Sequence, residues 1–103
     1  MPATTDHSLG ALAVLCALLS EKTRLLIVFL LAKGERNVTS LLEDLELSQS
    51  IVSHHLGLLR MNGMVVANRK GIQVMYSLAD NCKCSGGKLK ISLPSVTVTV
   101  EGL

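Results

Sequence analysis

This chain has few aromatic side chains, few charges and no long hydrophobic run. Trp is absent and Tyr and Phe occur once each, so the chain lacks the aromatic platform on which bases of a single strand stack. The two most apolar runs, 9–19 and 25–32, are shorter than the roughly 18 residues that a membrane-spanning helix needs. Three cysteines, an odd number, do not make a disulfide framework.

Other absences exclude further classes of protein. The chain shows no paired carboxylates, no glycine-rich phosphate loop and no nucleophile–base arrangement, so we do not expect an enzyme. Residues 1–8 lack the positive start and the cleavage site of a signal peptide, which predicts a cytoplasmic protein with a flexible N-terminus. What is present is a 49% hydrophobic composition, which at 103 residues predicts one domain over 1–103.

The charges are unevenly divided along the chain, although the net charge is only +2. Residues 1–47 carry a net charge of −2 and residues 48–103 a net charge of +4. A basic half beside an acidic half indicates a face that meets an anion, with nucleic acid as the default candidate. Ordinary solvated surfaces show the same imbalance, so the charge distribution alone does not establish binding to nucleic acid.

The first part of the chain predicts two apolar helices. Residues 9–19 are apolar nearly all round, so a helix there needs cover on a second side, and a second copy of the chain is the expected cover. The predicted dimer interface is its main stripe, Leu9, Leu12, Leu15 and Leu19. Ser20 is the predicted N-cap of a helix over 21–33 that ends at Gly34. Its predicted inward side chains are Leu26, Phe29, Leu30 and the stem of Lys33.

Two more helices follow closely. A short third helix, capped by Asn37 or Thr39, is predicted to bury Leu41, Leu42 and Leu45 and to end near residue 46. Ser48 is the predicted N-cap of a fourth helix over 49–61, whose buried stripe is Val52, Leu56 and Leu59. About three residues between the two helices are too few for an antiparallel hairpin and fit a helix-turn-helix.

The hydrophobic pattern then changes to alternation. Residues 64–69 and 72–78 flank Lys70 and Gly71, which predicts a β-hairpin with one face made of Ile72, Val74, Tyr76 and Leu78. Residues 79–87 are small and polar and predict a loop. Residues 88–93 and 95–101 predict one or two strands separated by Pro94, with inward residues Leu89, Ile91, Leu93, Val96, Val98 and Val100.

The fourth helix has the features of a DNA-reading helix. Small polar side chains at its N-terminal end would let it lie close in the major groove, which is about 12 Å wide. The basic hairpin tip would touch phosphate or the minor groove. The predicted DNA contacts are Gln49, Ser50, Ser53 and His54 on the helix and Arg69, Lys70 and Gln73 on the hairpin. The competing interpretations are a merely solvated polar face and a protein-interaction module.

Five segments resemble the ArsR/SmtB family of bacterial winged helix-turn-helix repressors. They lie within 9–80 and read SEKTRL (20–25), LSQS (47–50), VSHHL (52–56), LRMNGMV (59–65) and VMYSL (74–78). The resemblance implies an α+β winged helix-turn-helix fold, with four helices and then a β-hairpin wing. It also implies a homodimer that represses transcription on a palindromic operator in double-stranded DNA until an inducer binds. Residues 81–103 depart from the family, because a loop and strands replace its usual fifth helix.

The inducer is left open by the sequence. Asn37 and Thr39 stand where arsenic and cadmium sensors of this family carry Cys-x-Cys, and the fifth helix that holds zinc or nickel ligands is missing. Cys82 and Cys84 could share As(III), Cd, Zn or Cu with a third ligand from Cys16 or a partner subunit. Lys83 beside them would favour the thiolate and hence oxidation or persulfidation. Two inert thiols with no sensing role are the third alternative.

Overall fold

The computed structural model describes residues 3–94 and 96–102, which form four helices followed by five strands. The helices are α1 (Ala3–Leu19), α2 (Lys22–Ala32), α3 (Val38–Leu45) and α4 (Gln49–Met61). The strands are β1 (Val65–Lys70), β2 (Gln73–Leu78), β3 (Cys82–Ser85), β4 (Lys88–Ser92) and β5 (Thr97–Glu101). The predicted order, helices first and then antiparallel strands, is confirmed.

The junction of α1 and α2 differs from the prediction. α1 begins at Ala3 rather than at residue 9. The Ser20 hydroxyl donates to the Ala17 carbonyl at 2.8 Å and so completes the end of α1. The N-cap of α2 is Glu21, whose carboxylate accepts from the Arg24 backbone N–H at 3.0 Å. The prediction of Ser20 as this cap was therefore wrong, since the serine is used by the preceding helix.

The buried face of α2 is rotated relative to the predicted one. Ile27, Val28 and Leu31 are buried, whereas the predicted inward residue Leu26 is 40% exposed. Phe29 and Leu30 are half-buried and pack against the core from its margin. Because apolar residues fill almost every position of this helix, no single stripe stands out in the sequence, and tertiary packing selects the face.

α3 and α4 follow the prediction closely. The Asn37 side chain caps α3 by accepting from the Ser40 N–H at 2.8 Å, and Ser48 caps α4 by accepting from the Ile51 N–H at 3.3 Å. Glu46 ends α3 in the left-handed conformation, with φ of 54°. The predicted stripe of α4 is buried as expected and consists of Val52, Leu56 and Leu59.

β1 and β2 form the predicted hairpin, which is tied to the helices at Arg36. The two strands pair from Val65 opposite Leu78 to Lys70 opposite Gln73. Arg36 and Tyr76 exchange two backbone hydrogen bonds, of 2.9 and 2.7 Å, and form an isolated antiparallel bridge on the free side of β2. Ile72 precedes β2 and is 96% exposed, so its predicted place on the strand face with Val74, Tyr76 and Leu78 was wrong. It lies in the turn, beside Gly71 with φ of 64°.

β3, β4 and β5 form a second antiparallel sheet in that order. The predicted loop over 79–87 was wrong for residues 82–85, which pair with β4 as a strand. Residues 82–85 become a strand because they pair with β4, which follows the turn at Gly86 and Gly87. The polar sequence of these residues does not by itself indicate a strand. Leu89 and Ile91 are buried as predicted, and Val96, Val98 and Val100 are half-buried. Ser95, the predicted first residue of the last strand, lies outside the described residues.

Both sheets share one hydrophobic core with the helices. The buried cluster runs from Leu15 and Leu18 of α1 through Ile27, Leu41 and Leu59 to Val65, Leu89 and Ile91. The second sheet therefore belongs to the same folded body as the helix-turn-helix. None of the helices in residues 3–94 has the length and hydropathy of a membrane span.

Candidate nucleic-acid interface

The N-terminal half of α4 presents a polar surface to solvent. Gln49, Ser50, Ser53 and His54 are all exposed, while the opposite side of the same helix is buried in the core. Ile51, which the sequence analysis did not single out, is 45% exposed in the same stretch. An exposed polar surface with one apolar side chain can meet base edges, which offer hydrogen-bonding groups and the thymine methyl group.

α3 and the turn after it fix the position of this surface. Leu41 of α3 is fully buried and belongs to the same cluster as Val52 of α4. The left-handed Glu46 redirects the chain within three residues of the start of α4. A rigid α3 packed behind α4 gives the exposed residues a defined orientation.

The middle of α4 is bound to the junction of α1 and α2 through Arg24. Its Nε donates to the Leu18 carbonyl at 2.6 Å, and its Nη1 lies 3.2 Å from Nδ1 of His55. An arginine can only donate, so Nδ1 of His55 is the acceptor in this contact, and the other ring nitrogen is Nε2. That nitrogen faces a carboxylate oxygen of Glu21 at 3.8 Å. His55 thus supports α4 from behind, while its neighbour His54 is exposed.

Glu21 is held ionised by the same contacts. Desolvation alone would raise its pKa, but the backbone N–H of Arg24, His55, the N–H of Thr23 and the Arg24 charge together lower the pKa below its ordinary value. The carboxylate therefore stays charged at neutral pH, where it caps α2 and faces His55.

The wing residues differ in how they are engaged. Lys70 Nζ lies 2.5 Å from Glu35 Oε1, and Gln73 Oε1 accepts from Asn37 Nδ2 at 3.5 Å. Arg69 is exposed and makes no side-chain hydrogen bond or ion pair within residues 3–94 and 96–102. Of the two charged residues among the predicted wing contacts, Lys70 is paired with Glu35, whereas Arg69 has no ion-pair partner among the described residues. Glu35 and Asn37 were missed, since they are about 35 residues from their partners and no local pattern links them.

Known proteins resemble this chain in both sequence and fold. Residues 21–66 match the family described as bacterial regulatory protein, arsR family. The chain is 32% identical to reduced HlyU from Vibrio cholerae, with a TM-score of 0.72 over 77% of this chain and 83% of that one. The chain belongs to the ArsR family of bacterial regulatory proteins.

This ArsR-family chain is also similar to two proteins of mycobacteria. The HTH-type transcriptional repressor SmtB of Mycobacterium tuberculosis is 37% identical over 73 residues, or 71% of this chain and 54% of the relative. The homodimeric winged helix-turn-helix DNA-binding domain Mb0332 of Mycobacterium bovis is 29% identical, with a TM-score of 0.68 over 77% of this chain and 73% of that one. The winged helix-turn-helix fold is thereby confirmed. The chain spans about half the length of the curated relatives it matches.

The three thiols of this ArsR-family chain lie on α1 and β3, outside α4. Cys82 is 7% exposed, and burial raises the pKa of its thiol. Cys84 and Cys16 are exposed. Cys82 and Cys84 lie two residues apart on β3 and so point to the same face of the sheet. In the described part of the chain, His, Cys, Asp and Glu side chains form no group of three that could hold a metal ion.

The predicted dimer stripe is only partly available on α1. Leu9 is 52% exposed, Leu12 and Leu19 are half-buried, and Leu15 is 4% exposed within the core of its own chain. The part of the prediction that rests on Leu15 was therefore wrong, because α1 turns this residue toward its own body. The exposed side of α1 instead carries Leu9, Ala13, Val14, Cys16 and Ala17.

Proposed function

We propose that this chain is a DNA-binding transcriptional repressor that binds a palindromic operator as a homodimer and leaves it when an inducer binds. The observation that carries the proposal is the division of α4 into an exposed polar side, with Gln49, Ser50, Ser53 and His54, and a buried apolar side. Membership of the ArsR family supports the same function. Such a repressor would act in the cytoplasm, where bacterial DNA lies.

In this proposal each exposed group of α4 has a contact that suits its chemistry. Gln49 would pair with an adenine edge, and Ser50, Ser53 and His54 would donate to or accept from neighbouring bases. Ile51 would contact a thymine methyl group. Arg69 would reach a phosphate or the minor groove beside the site, with Lys70 and Gln73 behind it.

The exposed apolar side of α1 is the surface that we assign to the second copy. Leu9, Val14 and Ala17 are exposed there, and Val14 adjoins Leu18 and Leu58 in a shallow groove. Helix-turn-helix dimers read two half-sites about one helical turn, roughly 34–36 Å, apart. A palindromic operator would match the two-fold axis of such a pair.

Binding to duplex DNA tests the proposal. A duplex enriched from a random pool by the protein is titrated at several salt concentrations, with fluorescence anisotropy as the readout. We expect log affinity to fall linearly with log salt, because Arg69 and the other basic groups displace counterions from phosphates. A complex that is insensitive to salt and shows no preference for duplex would contradict the proposal and favour a protein-interaction module.

Sequence preference is tested separately by Ser53→Ala and His54→Ala. Each change is expected to cost about 1–3 kcal/mol of discrimination at one base pair of the half-site, while binding to unrelated duplex stays the same. Ser92→Ala, which alters an exposed serine on β4, is the matched control and should leave both unchanged. Equal losses on every duplex would mean that these residues do not read bases.

The inducer in this proposal is a thiophilic metal or metalloid ion, with thiol oxidation or a sulfur species as the alternative. Cys82 and Cys84 share one face of β3, but one chain supplies no third ligand beside them within its described residues. A soft ion would therefore need a ligand from a second copy. Thiol chemistry would begin at Cys84, the accessible member of the pair.

A further inference from the structure

The C-terminal sheet has an open edge at β5. Its order is β3-β4-β5, and β5 pairs with β4 alone among the strands described. β5 spans Thr97–Glu101 and alternates exposed Thr97, Thr99 and Glu101 with half-buried Val98 and Val100. An edge of this kind is commonly protected by charged side chains, a proline or a bulge, and β5 carries one charge, Glu101 at its end, with no proline or bulge.

The backbone hydrogen bonds show which groups the open edge presents. The Leu93 N–H donates to the Val96 carbonyl at 2.8 Å, and the Gly102 N–H donates to the Gly87 carbonyl at 3.2 Å. Hydrogen-bonded pairs alternate along an antiparallel ladder, so Val98 and Val100 also direct their backbone groups toward β4. Thr97, Thr99 and Glu101 consequently direct theirs away from the sheet.

The outward groups complement a second copy of the same strand. An antiparallel pair centred on Thr99 places Thr99 opposite the partner's Thr99 and Thr97 opposite the partner's Glu101. These pairs exchange roughly six backbone hydrogen bonds, because all their outward groups meet. Val98 then lies opposite the partner's Val100 on the apolar face, and no like charges oppose each other. Threonine pairs and β-branched pairs are both favourable across strands.

The other polar surface of this sheet does not suit a second copy. Lys83 of β3 lies opposite Lys90 of β4, and Lys90 lies opposite Thr99 of β5. Lys88 lies on the same face, with its Nζ 3.5 Å from Oε1 of Glu101. If two copies stacked these faces on each other, their lysines would come close together and repel. A pair of β5 edges avoids this repulsion, because no lysine lies on β5.

We propose that β5 pairs with β5 of a second copy, antiparallel and centred on Thr99, and so joins the two C-terminal sheets into one of six strands. This inference rests on the homodimer of the proposed function and adds to it the strand that links the copies. The recess lined by Val14, Leu18, Ile91 and Leu93 brings the exposed side of α1 next to the β4–β5 connection. The two contact surfaces are therefore neighbours.

Cysteine cross-linking tests the register. Thr99→Cys in a Cys16→Ser, Cys84→Ser background is oxidised and examined by non-reducing electrophoresis, and we expect a covalent dimer. In the proposed register the two Cα atoms are about 5.5 Å apart, which lies within the range of about 4.4–6.8 Å that a disulfide spans. Thr97→Cys is the matched control, since its two copies would lie roughly 14 Å apart along the strands, at about 3.4 Å per residue.

Sedimentation of the same proteins separates the possible failures. A dimer in solution with no Thr99→Cys cross-link would overturn the strand pairing and leave the proposed repressor dimer standing. Equal cross-linking of Thr97→Cys and Thr99→Cys would overturn the register. A chain that stays monomeric at all concentrations, with and without duplex, would overturn both the pairing and the proposed dimer.

A proline variant tests the hydrogen bonds themselves. Thr99→Pro removes an outward N–H that β4 does not use, so the sheet of each copy keeps its ladder. We expect the dimer dissociation constant to rise by roughly tenfold, because each copy loses one bond to the other. An unchanged constant in a folded variant would contradict the pairing.

Discussion

At the scale of single residues, two cysteines on one strand have opposite accessibility. Cys82 lies opposite the buried Ile91, whereas Cys84 lies opposite Leu89 close to the Gly86 turn, where the sheet ends. Burial raises the pKa of the Cys82 thiol, so this group remains protonated at neutral pH. Cys84, the exposed member of the pair, is therefore the more accessible to thiol reagents.

Thiol labelling and operator release test this difference. Iodoacetamide should label Cys84 and Cys16 in the folded protein and Cys82 only after unfolding, as measured by mass spectrometry. The double change Cys82→Ser with Cys84→Ser should leave duplex binding intact and abolish release by the inducer, with Cys16→Ser as the control. If the double variant still leaves the operator when thiophilic ions or persulfides are added, these thiols are not the sensor.

At the scale of elements, the two caps of the helix-turn-helix differ in strength. Asn37 accepts at 2.8 Å in a partly buried position, while Ser48 accepts at 3.3 Å in an exposed one. Asn37 also donates to Gln73 of the wing. The cap of the supporting helix α3 is therefore better anchored than the cap of α4.

Alanine substitutions at the two caps should reflect this order. We expect Asn37→Ala to lower the free energy of unfolding by about 1–2 kcal/mol and Ser48→Ala by about 0.5–1 kcal/mol. Urea unfolding followed by circular dichroism measures both. A larger loss for Ser48→Ala would show that the cap distances do not govern the stability of these helices.

How well each element could be predicted depends on how local its determinants are. α4 was predicted with its cap, both ends and its buried stripe, because Ser48 and an amphipathic pattern lie within it. The face of α2 could not be predicted, since Leu26 and Ile27 are equally apolar and only the fold distinguishes them. β3 was missed because its polar sequence becomes a strand only beside β4.

The interface shows the same division. The exposed polar residues of α4 follow from a pattern within one helix. Lys70 and His55 have their partners, Glu35 and Arg24, at 35 and 31 residues along the chain. One pair joins α2 to α4 and the other joins the segment after α2 to the wing, and composition or spacing along the chain does not reveal either.

At the scale of the whole molecule, the C-terminal sheet is part of the domain core. Ile91 is fully buried in the cluster that also holds Leu15 and Leu18 of α1. A sheet attached only by a linker would keep its apolar face outside that cluster. We therefore expect the helices and both sheets to unfold together.

Two isoleucines provide a matched test of this cooperativity. Ile91→Ala should lower the free energy of unfolding by about 2–5 kcal/mol, because it leaves a cavity in the shared core. Ile72→Ala, at a wing-tip position that is 96% exposed, should change it by no more than about 0.5 kcal/mol. Denaturation should show one transition in both. A separate early transition for Ile91→Ala would contradict a shared core.

The isolated β-bridge between Arg36 and Tyr76 has a consequence for the operator. Together with the contact of Lys70 and Glu35 it joins the wing to the segment that leads into α3, and we therefore expect the wing and α4 to act as one body. In the proposed complex this body measures a fixed length of duplex. One inserted base pair between the bases read by α4 and the phosphates under the wing would shift them by about 3.4 Å. Natural operators should therefore vary in base identity more freely than in spacing.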